Sequence, residues 1–105
     1  MTGSLIILED IIYPVADEIS LTLEPPHTLI KSPTTPLMGG NSVLDSLALV
    51  SLIVAVEGRI AERMNCSLTL ANEKALSRKH SPFKTMQSLA DYILELLNEE
   101  HRVKN

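Results

Sequence analysis

Asp45, Ser46 and Leu47 stand where a glycine-containing loop meets the most apolar run in the chain. Asp and Ser at that junction suit the first turn of an α-helix, where backbone N–H groups lack intrahelical partners and a side-chain oxygen can accept them. Either residue could serve as the cap. If Asp45 caps the helix, Ser46 becomes its first residue, and its hydroxyl is expected to point to solvent at the positive end of the helix dipole. A phosphate ester formed there would sit among N–H donors, the usual reason anions collect at helix N-termini. Taken alone, the tripeptide favours simple capping, since Asp-Ser before an apolar run is also an ordinary helix start.

Other chemistry is hard to assemble. Ser46 lacks the Gly-x-Ser-x-Gly elbow of hydrolases, and no strand is predicted to carry one. His27, His80 and His101 are scattered through loop and tail, as solvated histidines are. There is no phosphate-binding glycine loop of the Walker or dinucleotide type. Cys66 has no neighbouring His or acid to activate it and reads as a packing residue. A serine without a base of its own is better suited to being modified than to catalysing a reaction, so the chain is not expected to be an enzyme.

The elements that must position Ser46 follow from composition and period. With 105 residues the chain is read as one domain (1–105), its core at about 4–99 and a polar tail at 100–105. Apolar residues make up 45%, but aromatics only 3%, so the core must come from Leu, Ile, Val, Ala and Met, a mix that suits helix packing. The formal net charge is −4 with no dense basic run, which argues against nucleic-acid binding and for partners with positive surfaces. One cysteine allows no internal disulfide. No signal-peptide pattern or long apolar span appears, so no membrane insertion and a cytoplasmic location are expected.

Leu5, Leu8, Ile12, Val15 and Ile19 predict an amphipathic first helix over 4–22, with Pro14 forcing a kink near Asp10 or a division into two pieces. Residues 25–44, with Pro25, Pro26, Pro33, Pro36, Gly39 and Gly40, read as a long crossing loop. Leu29, Ile30, Leu37, Val43 and Leu44 are its candidate anchors, and Gly39 and Gly40 could turn the chain before Asp45. A central helix is predicted over 46–64, with Leu49, Leu52, Ile53, Val56, Ile60 and Met64 on its core stripe. Arg59 and Arg63 complement its dipole.

Leu47, Val50 and Val54 fall on a second face of that helix, which they share with Glu57 and Gly58. Either neighbouring helices bury this face too, or it is a docking surface. The residues alone favour burial, as in many small bundles. Beyond it, Leu68 and Leu70 alternate in an extended connector over 65–71. Asn72 is a possible cap for a short helix over 73–79. Thr85 reads as the cap of a last helix over about 86–99, striped by Met86, Leu89, Ala90, Ile93, Leu96 and Leu97, after which the polar tail is expected to fray.

Together these features resemble the acyl carrier proteins and the related peptidyl carrier domains. In that family the attachment serine sits in an Asp-Ser-Leu motif at the start of the second of four helices. Here Leu37 to Leu44 is similar to the approach loop, Asp45-Ser46-Leu47 to the motif, and Leu49-Val50-Ser51-Leu52-Ile53 with Val56-Glu57 to the second helix. Leu68 and Leu70 are similar to the link before the third helix, and Phe83 to Ile93 to the fourth helix and its lead-in. Residues 37 to 97 match in order and spacing, while the first helix matches only in kind.

The resemblance implies an all-α fold, a small four-helix bundle with a long loop between helices 1 and 2 and a short helix 3. It also implies a 4'-phosphopantetheine arm on Ser46, with Asp45 as motif and cap residue, carrying acyl or aminoacyl groups as thioesters. Implied partners are a phosphopantetheinyl transferase, which would supply the base and the metal for the transfer, and an acyl- or aminoacyl-loading ligase or synthase. Partner docking would use Leu47, Val50, Ser51, Val54 and Glu57, and a monomer is expected.

Two departures bear on the pathway. Ala48, Ser51 and Gly58 stand where family members of fatty-acid synthesis often carry acids, although Asp45, Glu57 and Glu62 are retained. Gly40-Asn41-Ser42-Val43-Leu44 also brings no acid before Asp45. Both point away from housekeeping fatty-acid synthesis and towards a dedicated carrier in a polyketide, peptide or polysaccharide-decorating pathway. The rival reading is an unmodified helical interaction module that uses the same face.

Overall fold

A computed structural model describes residues 3–22, 29–38, 42, 44–70 and 82–104, together with the side chains of most of them. Their regular structure is helical: α1 (Gly3–Ile7), a π-helical stretch (Leu8–Ile12), α2 (Tyr13–Ser20), α3 (Ser46–Met64) and α4 (Met86–Lys104). Among the described residues there is no strand beyond one isolated bridge between Pro36 and Thr85. The short helix predicted over 73–79 and its cap Asn72 lie outside the described residues, as do Gly39, Gly40 and Val43.

α1, the π stretch and α2 form one helical body, because the residues at the two junctions, Ile7, Ile12 and Tyr13, all keep right-handed helical dihedrals. Pro14 is accommodated without ending the helix. Proline has no N–H, and its ring crowds the carbonyl four residues back, here that of Asp10. The backbone responds by widening: Tyr13 N–H donates to the Leu8 carbonyl, five residues back, which is the π pattern. The Asp10 carbonyl then receives its hydrogen bond from another helix, with Arg59 Nε of α3 donating at 2.8 Å. Arg59 thus does more than complement a dipole.

The wide turn also changes which residues face inward. Ile7 and Leu8, Ile11 and Ile12, Val15 and Ala16, and Ile19 are all buried, a repeat of four. A plain α-helix would drift ~40° per four-residue step, and the π stretch takes up part of that drift. Leu5, expected on the core stripe, is instead 47% exposed.

This first body is the hub of the fold. Its π stretch and α2 pack against α3, and its α1 and π stretch pack against α4, while no Cα of α3 comes within 8 Å of one in α4. At its start, Gly3 lies against the Leu94 side chain of α4. The prediction that residues 46–64 form the central helix is therefore corrected: the helix exists, but it has one described helical neighbour. Its core stripe is as predicted, with Leu52, Ile53, Val56 and Ile60 buried and Leu49 and Met64 packed at the margin.

The long loop anchors through Leu29, Leu37 and Leu44, which are buried, whereas Ile30 is 71% exposed. The same loop closes the start of α4. Met86 and Gln87 N–H donate to the carbonyls of Thr35 and Pro33 at 3.1 and 2.9 Å, and Leu37 N–H donates back to the Lys84 carbonyl at 2.8 Å. Thr85 is the cap, as its residue type predicts: its Oγ1 accepts from Ser88 N–H at 3.1 Å, and Ser88 Oγ accepts from Thr85 N–H at 2.9 Å. With Leu89 N–H on the Thr85 carbonyl at 3.0 Å, all four N-terminal donors of α4 have acceptors. The helix continues to Lys104, past the fraying point expected at Glu100.

Arg59→Ala is expected to lower stability by about 1 kcal/mol, since the Asp10 carbonyl loses its protein donor at a position where water can partly replace it. A chemical denaturation midpoint measures this. Arg59→Lys should restore little, because a flexible ammonium does not reproduce the Nε geometry.

Candidate functional site

The start of α3 is built by one residue. Asp45 is extended (φ −87°, ψ −177°), and its Oδ1 accepts from Ala48 N–H at 2.8 Å, while its carbonyl accepts from Leu49 N–H at 2.9 Å. Of the two caps that the sequence allows, the structure uses Asp45. Ser46 is accordingly the first residue of the helix. The side chain of Ser46, and with it the expected direction of its hydroxyl, lies outside the described side chains. Just before the cap, Leu44 is buried and its N–H donates to Ser42 Oγ at 3.0 Å, which ties the approach to the core.

Beyond Ser46 the second face of α3 is open. Leu47 is 76% exposed, Val50 55% and Val54 60%, and Ser51 is exposed between them. A Cβ added to Gly58 on the same side would meet nothing within 4 Å. The burial that the residues alone favour does not occur, because α3 packs on the hub by one side only. The result is a stripe of apolar side chains leading away from Ser46, with Asp45 and Glu62 exposed at its ends. Contiguous apolar surface of this kind is what interaction sites show.

Glu57, read with this face, is differently placed. It is half-buried, and its Oε2 accepts from Leu70 N–H at 2.6 Å, holding the connector against α3. Leu70 is fully buried and Leu68 packs at the core margin, as their alternation predicts. Tyr92 of α4 donates its hydroxyl to the Leu70 carbonyl at 3.3 Å and meets Phe83 edge-on, ring centroids 6.2 Å apart.

No match to known proteins decides the family. No family model, curated protein or solved structure is significantly similar to the chain.

Among the described residues no buried side chain is charged, the Tyr92 hydroxyl is the buried polar group, and no group of three or more His, Cys, Asp and Glu residues could hold a metal. His27 and His80, and the side chain of His101, lie outside the described residues. Cys66 is half-buried and free. No described helix is long and apolar enough to cross a membrane. An open groove of about 400 Å³ lies along α4, bordered by Asp91, Leu94, Glu95, Asn98 and Glu99, none of them from α3. Residue type had flagged Asp45 but not the anchoring duty of Glu57, for which Leu70, thirteen positions on, gives no sequence signal.

Proposed function

We propose that this chain is a carrier protein: a 4'-phosphopantetheine arm on Ser46 holds acyl or aminoacyl groups as thioesters and presents them to partner enzymes. The observation that carries the reading is the Asp45 cap, which puts Ser46 at the first position of α3 beside the exposed Leu47, Val50 and Val54. A phosphopantetheinyl transferase would supply the base and the metal, and would move the phosphopantetheinyl group from coenzyme A to the Ser46 hydroxyl. One P–O bond to the serine oxygen forms, the pyrophosphate bond of coenzyme A breaks, and the adenosine bisphosphate leaves. The thioester keeps the cargo carbonyl reactive, and the tether makes delivery intramolecular once a partner has docked. A polyketide, peptide or polysaccharide-decorating pathway fits the sparse acids of α3 better than fatty-acid synthesis does. We place the protein in the cytoplasm as a monomer in a single domain, with a fourth, short helix between α3 and α4.

Label transfer tests the site. Incubated with a fluorescent coenzyme A analogue, Mg²⁺ and a broad-specificity transferase, the protein should be labelled on the peptide that contains Ser46. Ser42→Ala and Ser51→Ala should keep the label. Label on either of those serines in place of Ser46 would contradict the assignment.

Docking is the second testable part. Val54→Glu places a charge at the centre of the apolar stripe, and it should slow label transfer about tenfold, the effect of losing one central interface contact. Thermal stability should hardly change, since Val54 is 60% exposed. With few acids on this face, transfer should also depend only weakly on salt. A Val54→Glu protein labelled at the normal rate would remove the stripe from the docking surface. The unmodified interaction module shares this face and differs in one respect, that Ser46 would be dispensable.

A further inference from the structure

Among the described residues, the three most exposed large apolar side chains come from three elements: Leu21 at the end of α2, 88% exposed, then Leu47 at the start of α3 and Ile30 in the long loop. The packing brings them to one end of the molecule. Arg59 of α3 sits at Asp10 of the hub. Leu52 and Ile53, seven and six residues before Arg59, are buried, although no Cα of α1 lies within 8 Å of one in α3. Those two side chains must therefore pack on α2, and α3 runs antiparallel to the hub. From the Asp10–Arg59 contact it is eleven residues forward to Leu21 and eleven back to Ala48, so at ~1.5 Å per residue Leu21 lies level with the first turn of α3. Ile30 joins this end because Leu29 N–H donates to Ser20 Oγ at 3.0 Å.

The backbone beneath Leu21 and Ile30 is held in place. Leu21 N–H donates to the Glu18 carbonyl at 3.2 Å and Thr22 Oγ1 to the Ile19 carbonyl at 2.7 Å, which closes the end of α2, while the Ile30 carbonyl accepts from Thr35 Oγ1 at 2.6 Å. Apolar groups fixed in this way and turned to water make a preformed docking surface. Lys31, next to Ile30, is paired with Asp17 at 3.3 Å, and the Asp45 carboxylate is engaged as the cap. The end therefore suits an apolar protein surface better than an anionic lipid surface, which is held by free cations. We propose, on the basis of the carrier reading, that Leu21 and Ile30 with Leu47 form an apolar rim at the Ser46 end that seats the phosphopantetheinyl transferase. A transferase must bring the coenzyme A pyrophosphate to the Ser46 oxygen itself, so its surface closes over this end. An enzyme that acts on the cargo meets it at the far end of the arm and can dock on the α3 stripe alone.

Label transfer to the full chain, from a fluorescent coenzyme A analogue by a broad-specificity transferase, tests the rim with a double variant at each end. Leu21→Gln with Ile30→Gln should lower kcat/KM about tenfold through KM and leave kcat near the wild-type value, as loss of a binding contact does. Leu5→Gln with Ile6→Gln removes two exposed apolar side chains from α1, at the other end of the hub, and should change neither constant. Both proteins should give the wild-type circular dichroism spectrum, since all four side chains are exposed. If the Leu21 and Ile30 variant is labelled at the wild-type rate, or if the α1 variant slows as much, the rim does not seat the transferase and the carrier reading stands without it. Unchanged label transfer, with the wild type but not the Leu21 and Ile30 variant sedimenting with vesicles of phosphatidylglycerol and phosphatidylcholine, would make the rim a lipid contact instead. A wild type that takes no label at all would remove the carrier reading, and the rim with it.

Discussion

Ser46→Ala is expected to take up no phosphopantetheine and to lose all carrier function, while unfolding at nearly the wild-type temperature. The two halves of this result have separate causes. Attachment needs an oxygen nucleophile at that position, and alanine offers none. Stability is spared because Asp45 supplies the helix cap, so the Ser46 hydroxyl is not required to accept the Ala48 N–H. Alanine is also a better helix former than serine, and the net change should stay within about 0.5 kcal/mol. Thermal unfolding followed by circular dichroism gives the stability. Growth or product formation in a strain carrying only the variant gives the function. An interaction module would behave differently, with the variant keeping both partner binding and cellular function.

Leu52→Ala is expected to have the largest effect on stability, about 2–5 kcal/mol. Leu52 is fully buried on the side of α3 that faces the hub, and its truncation loses transfer energy and leaves a cavity in a close-packed core. Domains of this size are stable by only about 5–15 kcal/mol, so this loss is a large fraction of the total. Val54→Ala, two residues along the same helix, is the control: at 60% exposure it should cost less than about 0.5 kcal/mol. Urea titration of both variants measures the difference. Similar losses from the two would mean that the Leu47, Val50 and Val54 stripe is covered in solution, and the docking reading would fail with it.

The core stripe of α3 was legible because the helical period of ~3.6 residues runs for about four turns without interruption from Leu49 to Met64. Thr85 and Asp45 were legible as caps because their side chains act within three residues of themselves. The π stretch was half legible: Pro14 announces a disturbance at Asp10, but the remedy is Arg59, forty-nine positions away. The strict four-residue repeat from Ile7 to Ile19 is the signal that a wider turn was present, and a reading in steps of three and four passes over it.

Which helix would be the hub was not legible at all. The first helix and α3 are both strongly apolar, and periodicity says which side of each is buried without saying against what. The exposure of Leu47, Val50 and Val54 follows from that arrangement, so it appears only once the neighbours of α3 are known. Backbone partners leave the least trace. The carbonyls of Pro33 and Thr35 that close the start of α4 belong to no motif. At the candidate site, residue type pointed to Asp45 and Ser46, and the structure supplied the cap that orders them.

The most direct test of the carrier reading is the intact mass of the protein before and after incubation with coenzyme A, Mg²⁺ and a broad-specificity phosphopantetheinyl transferase. The account predicts a gain of one phosphopantetheine per chain. No gain, from a folded sample confirmed to be unmodified at the start and with a known carrier reacting in parallel, would contradict it.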